Sequence, residues 1–174
     1  MRDGSHPTVD HLFSVAYEEL RRLAATVRRG DPSETLNPTA LVNEAYLKLA
    51  EGAGVTPASR LHFKRIAARA MRQVLVEAAR RRKALKRGGD RTFVTLDESL
   101  DGGPTRDEDL LALDAALEDL ARMQPRQALI VEYRFFGGFD LAETAALLEV
   151  SESTLLRDWR AARAWLSLEL RRER

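Results

Sequence analysis

The sequence predicts an all-α protein built as two small helical domains joined by a flexible acidic linker. Three observations predict it. Apolar residues recur at three- and four-residue steps in each periodic segment, helix start and stop signals separate those segments at short intervals, and a central acidic stretch containing Gly102-Gly103-Pro104 has no helical period. The domains are expected at 1–88 and 109–174, with the linker at 89–108.

Between Val9 and Val27, Leu12, Phe13, Ala16, Tyr17, Leu20, Leu23 and Ala24 form one apolar stripe, with Glu18, Glu19, Arg21 and Arg22 opposite it. Gly30-Asp31-Pro32-Ser33 breaks that helix. Asn37 and Pro38 are a cap and first-turn pair for a second helix through Leu49, whose inner face is Leu41, Val42, Ala45, Tyr46 and Leu49. A loop from Gly52 to Ser59 leads into a long basic helix. From Arg60 to Arg87 the chain carries eleven Lys and Arg against the single acid Glu77, although its overall formal charge is only +1. Phe63, Ile66, Ala67, Ala70, Met71, Val74, Leu75 and Ala78 give this segment an apolar seam, so it reads as a folded cationic surface rather than a charged tail. Arg65, Arg69, Arg72, Arg80, Lys83 and Arg87 lie on the opposite stripe. Such a surface suits a polyanion.

Gly88-Gly89-Asp90 ends the basic helix, and from Asp90 to Asp109 seven acids accompany two arginines. Phe93-Val94-Thr95-Leu96 has strand-like composition without a partner strand, so it is assigned to the linker. Four helices are expected afterwards, at 108–122, 125–136, 140–148 and 152–169. Pro125 suits a first helical position, Gly137-Gly138 a stop, Asp140 to Glu143 a capping box and Ser151 a cap. Two helices across a short turn, the second bearing arginines, have the spacing of a helix-turn-helix. Its second helix presents Ser153, Thr154, Leu156, Arg157, Arg160 and Arg163, while Leu155, Trp159, Ala162 and Leu166 repeat at core spacing. Hydroxyls reach bases or phosphates, and an arginine fork can bind guanine with two parallel hydrogen bonds. Glu152 and Asp158 in the same helix count against a DNA face.

Composition narrows the function. There is no cysteine, the three histidines are not at metal-ligand spacing, and neither a nucleophile triad nor a Gly-rich phosphate loop is present. The expectation is a non-enzyme without cofactor or metal. No apolar run has the length of a membrane span and no secretory signal is visible, so a cytoplasmic protein without membrane insertion is expected. Tyr46, Phe63, Tyr133, Trp159 and Trp165 are assigned to the core and His62 to the surface. Taken separately, the basic helix also suits an acidic protein or RNA, and the helical hairpin also suits an ordinary bundle.

Together and in this order, the segments resemble the extracytoplasmic-function (ECF) sigma factors of bacterial RNA polymerase, from about Leu12 to Leu170. The resemblance rests on Thr39 to Leu49, on Phe63 to Arg82 with Lys86-Arg87-Gly88-Gly89, and on Val150 to Leu155 with Arg157 to Leu166. It implies a promoter-specific initiation factor. A first domain like sigma region 2 would hold the polymerase clamp coiled coil through Leu41, Val42, Asn43, Glu44, Tyr46, Leu47 and Lys48. Its loop at 52–61 would accept a flipped minus-ten base, and Arg60, Lys64, Arg65, Arg69, Arg72, Gln73 and Arg80 would bind the separated strand. The linker would run through polymerase channels. A second domain like region 4 would dock near the polymerase flap and read the minus-thirty-five element. Core RNA polymerase and promoter DNA are the implied partners, with an anti-sigma factor or a Ser/Thr kinase as regulator. The alternatives are a helix-turn-helix regulator acting without core polymerase and a helical adaptor that imitates a sigma factor.

The chain departs from its relatives at three places. Leu36 to Ala40, just before the clamp-binding helix, contains no acid where relatives often have several. Two roles stand open for Thr39, phosphorylation that supplies the missing charge and simple assistance to the helix cap, with Thr35 and Ser33 as neighbouring candidates for modification. Leu156 stands where many relatives carry lysine. The family's leading helical segment is expected to be short or absent.

Overall fold

The computed structural model describes residues 9–27, 37–51, 59–85 and 107–172. Within them are seven helices and no strand: α1 (Val9–Val27), α2 (Pro38–Glu51), α3 (Arg60–Leu85), α4 (Asp107–Met123), α5 (Pro125–Phe135), α6 (Leu141–Leu148) and α7 (Glu152–Arg172). The all-α expectation is met. Lys86, Arg87, Phe93 to Leu96, almost all of the 89–108 stretch and most of the loop at 52–61 lie outside the described residues. So do Ser33, Thr35 and the side chains of Leu12, Ala16 and Leu23.

Local chemistry sets the helix starts. The Asn37 side chain accepts a hydrogen bond from the Ala40 amide at 2.8 Å, and Ser59 Oγ accepts one from the His62 amide at 3.1 Å. Both satisfy first-turn donors that have no partner within the helix. Pro125 occupies the first turn of α5, where its missing N–H costs nothing. Three acids, Asp107, Glu108 and Asp109, open α4 at the positive end of its dipole.

Helix α3 is the spine, contacted by α1 and α2 on one side and by α4 and α5 on another. Toward α1 and α2 it buries Phe63, Ala67 and Met71 with Leu20, Val42 and Ala45, and Phe13 and Tyr46 close the edge with rings 4.4 Å apart. In α4, Leu110, Leu113, Leu117 and Leu120 recur at three- and four-residue steps and are all buried. They share one apolar cluster with Phe136 and Phe139 beyond α5 and with Ala162, Leu166 and Leu170 of α7. Each such Leu or Phe removed from water stabilises the fold by about 1.5–3 kcal/mol.

The sequence predicts one apolar seam on α3, and the structure shows a second. Lys64, Ala68, Arg72, Val76 and Ala79 follow at steps of four, four, four and three residues and so share a face. Ala68, Val76 and Ala79 are buried. Their small side chains let α4 and α5 approach closely, so a stripe that mixes cations with alanine lies in a helix interface instead of in water.

Candidate nucleic-acid interface

Helices α5, α6 and α7 enclose a small core in which Ile130, Ala145 and Leu155 are buried among Leu141, Leu148, Val150 and Trp159. The turn into α6 depends on glycine. A Cβ on Gly137 would stand 2.5 Å from both the Phe139 ring and the Tyr133 carbonyl, and Gly138 has φ 61°. The capping box is complete: Asp140 accepts from the Glu143 amide at 2.7 Å, and Glu143 accepts from the Asp140 amide at 3.0 Å. Glu149 closes α6 in the left-handed region at φ 54°, its amide donating to the Ala145 and Ala146 carbonyls. Ser151 then caps α7, accepting from the Thr154 amide at 3.2 Å.

The cap fixes the rotation of α7. Leu155, Ala162, Leu166 and Leu170 turn inward, and Ser153, Arg157 and Arg160 stand exposed with Thr154, Leu156 and Arg163 half-buried beside them. Asp158, which the sequence counts against a DNA face, is buried and takes the Arg126 guanidinium at 2.7 Å. It therefore anchors α7 to α5 and adds no negative charge to the outward surface. The guanidinium groups of Arg134 and Arg163 lie 4.9 and 6.0 Å from the centre of the Trp159 ring. Burial lowers the Arg134 pKa, opposed by nearby Asp140, and its Nε and Nη1 are buried without a hydrogen-bond partner. The indole face replaces those contacts. The exposed part of α7 thus combines hydroxyls with arginines on a helix held from behind, the composition that can enter a groove of duplex DNA.

On α3 the predicted strand-binding residues divide into two sets. Arg60, Arg65, Arg69, Gln73 and Arg80 are exposed. Lys64 and Arg72 are not, with side chains 4% and 16% exposed in ion pairs to Glu143 at 3.2 Å and to Asp114 and Glu132 at 2.8 and 2.7 Å. Arg80 lies 3.5 Å from the second Asp114 oxygen. Arg82 makes a forked contact to Asp107, with Nε 2.8 and 3.0 Å from the two oxygens. Arg65 hydrogen-bonds Tyr133, whose phenol is pushed up by burial and partly drawn back by that guanidinium. The sequence reading misses these acidic partners. The one readable signal was Asp114, an acid set among Leu110, Leu113 and Leu117 at core spacing.

On α2, Leu41 and Val42 are buried against the bundle, and Asn43, Glu44 and the half-exposed Leu47 form the outward face. Tyr46 is half-buried, and Lys48 reaches Glu77 of α3 at 2.8 Å. Thr39 sits partly exposed in a first turn that contains no acid. Among the described residues no group of three or more His, Asp or Glu is placed to hold a metal ion, and no helix is long and apolar enough to cross a membrane.

The family model described as ECF sigma factor matches residues 1–172, nearly the whole chain. The chain belongs to the ECF sigma factor family. Its role is that of an alternative sigma factor in transcription initiation, within a non-catalytic family whose partners are core RNA polymerase and promoter DNA. No curated protein and no solved structure matches the chain. This ECF sigma factor carries its cationic helix and its helix-turn-helix on different helices of the bundle.

Proposed function

We propose that this sigma factor binds core polymerase through α2, reads duplex upstream DNA through α7, and holds the opened strand along α3. The outward face of α7 carries the reading. Ser153, Thr154, Leu156, Arg157, Arg160 and Arg163 gather on one side, and Asp158, the acid that would oppose DNA there, is turned inward. Residues 1–88 would contain the polymerase and minus-ten contacts, residues 109–174 the minus-thirty-five reader, and 89–108 the connection through polymerase channels. On α2 the contacts to the clamp coiled coil fall to Asn43, Glu44 and Leu47, with Leu41, Val42, Tyr46 and Lys48 shaping and holding that face. On α3, Arg60, Lys64, Arg65, Arg69, Arg72, Gln73 and Arg80 supply the phosphate contacts, which make DNA affinity fall steeply with salt.

Pull-down with core polymerase followed by run-off transcription tests this reading. Retention on the polymerase and promoter-dependent transcripts are expected. DNA binding without retention would identify a helix-turn-helix regulator instead, and retention without transcripts an adaptor or an anti-sigma-type partner.

Thr39 is the proposed point of control. A phosphate in that acid-free first turn brings nearly two negative charges to the positive end of the helix dipole. Thr39→Asp is expected to bind core polymerase more tightly than Thr39→Ala, and equal affinities by titration would defeat the switch.

A further inference from the structure

Four acids from the second half of the chain hold Lys64, Arg72 and Arg82 of α3 and reach Arg80. Asp107 and Asp114 come from α4, Glu132 from α5 and Glu143 from α6. The Arg72 guanidinium donates from Nε to Asp114 Oδ1 at 2.9 Å, from Nη2 to the Asp114 carbonyl at 3.3 Å and from Nη1 to Glu132 at 2.7 Å. Lys64 meets Glu143 through one carboxylate oxygen, while the other oxygen caps α6, so the capping box of the helix-turn-helix is also a contact to α3. The Phe139 ring, held by the Gly137 turn, covers Lys64 at 4.6 Å from its centroid. Arg82 and Asp107 close the far end.

The arrangement has the chemistry of a strand complex with carboxylates in place of phosphates. A guanidinium fork takes either anion in the same geometry, and a donor already used by a buried carboxylate is not available to a phosphate. We propose that the second half is a built-in nucleic-acid mimic: docked on α3, its acids hold Lys64 and Arg72 as a separated strand's phosphates would, so Arg60, Arg65, Arg69 and Gln73 stay exposed but the full set of strand contacts forms only after the halves part. The proposal rests on the reading of α3 as the strand-binding helix. Asn43, Glu44 and Leu47 on α2 and Arg157 and Arg160 on α7 remain outward in the docked state. Polymerase and duplex DNA can therefore engage before opening, and strand capture is coupled to assembly. The apparent affinity for a strand falls by the fraction of molecules that are open.

The test uses the full chain. Asp114→Asn combined with Glu143→Gln removes two clasp charges without changing shape. Asp119→Asn combined with Glu169→Gln removes two charges that pair only within their own helices. Binding of a fluorescein-labelled, mixed-sequence single-stranded 20-mer is followed by anisotropy. Because the chain has no cysteine, spin labels at Glu51→Cys and Ala161→Cys report the separation of the halves. The clasp variant is expected to bind about tenfold more tightly, the gain for a clasp closed nine times in ten, and to lose the single label-to-label distance of the docked state, while the control changes neither. Equal tightening in both variants, or an unchanged distance, overturns the proposal and leaves the strand-binding reading intact. A 20-mer that binds no variant even though the labels separate overturns that reading and the mimicry with it. Should the double variant fail to fold, Asp107→Arg sets like charge against Arg82 and is expected to open the clasp. Adding Arg82→Asp restores both the net charge and the pairing. Recovery of weak strand binding in that swapped pair supports the clasp, and persistent tight binding overturns it.

Discussion

The cationic face of α3 and the outward face of α7 carry the same side-chain chemistry in opposite settings. Arg72 is almost enclosed, its guanidinium held between Asp114 and Glu132. Arg157 and Arg160 stand in solvent, and the one acid that could have neutralised that face, Asp158, is turned inward onto Arg126. The difference comes from how many neighbours each helix has. Helix α3 packs against α1, α2, α4 and α5, whereas α7 packs against α4, α5 and α6 and keeps Ser153, Arg157 and Arg160 exposed. A run of arginines therefore says little about the exposed potential until the helices around it are known.

The contrast is broken most severely by Arg72→Ala, which leaves buried Glu132 without its counter-ion and Asp114 with only the exposed Arg80. Unfolding free energy from urea titration is expected to fall by about 3–5 kcal/mol. Arg157→Ala should leave stability within about 0.5 kcal/mol of the parent and weaken binding to duplex upstream-element DNA by about 1–3 kcal/mol. Similar stability losses at the two sites would abolish the distinction between the enclosed and open faces. Glu149→Gly sharpens the comparison at the turn that aims α7. It relieves a side chain held at φ 54°, and a thermal melt is expected to show about 1 kcal/mol of added stability.

The smallest effect belongs to Tyr133. Its pKa in the folded protein is raised, so folding favours the protonated phenol. That contribution is complete below the ordinary tyrosine value of about 10 and is lost as pH rises through the raised one. Tyr133→Phe should therefore flatten the alkaline limb of the stability profile and leave it unchanged near neutrality.

Much of the fold was legible because short-range signals write it. Asn37, Pro125, the Asp140 to Glu143 box and Ser151 each begin a helix where local hydrogen bonding demands one. The periodicity places α4 at 108–122 against Asp107–Met123, one residue at each end as fraying produces, whereas α7 runs three residues past the expected 169 to Arg172. The site was legible in composition and less so in exposure. Leu41 and Val42 lie in the core, as their spacing on the second helix indicates, although the resemblance gives them to the polymerase contact. Lys64 and Arg72 belong to a basic stripe yet lie in an interface. For that stripe the missing information was the identity of the facing helix, which sequence spacing does not contain.

By itself the sequence determined where helices begin and end, which residues can form a core, and that a cationic helix and a helix-turn-helix occupy one chain. Periodicity and capping act over three or four residues, so a single strand of text carries them. Only the tertiary structure decided that α4, α5 and α6 bring Asp114, Glu132 and Glu143 onto α3 from 42 to 79 residues away. Charge pairing at that separation depends on which surfaces meet after collapse. Those meetings bury Ala68, Val76 and Ala79 along the same stripe of α3 that carries the paired cations.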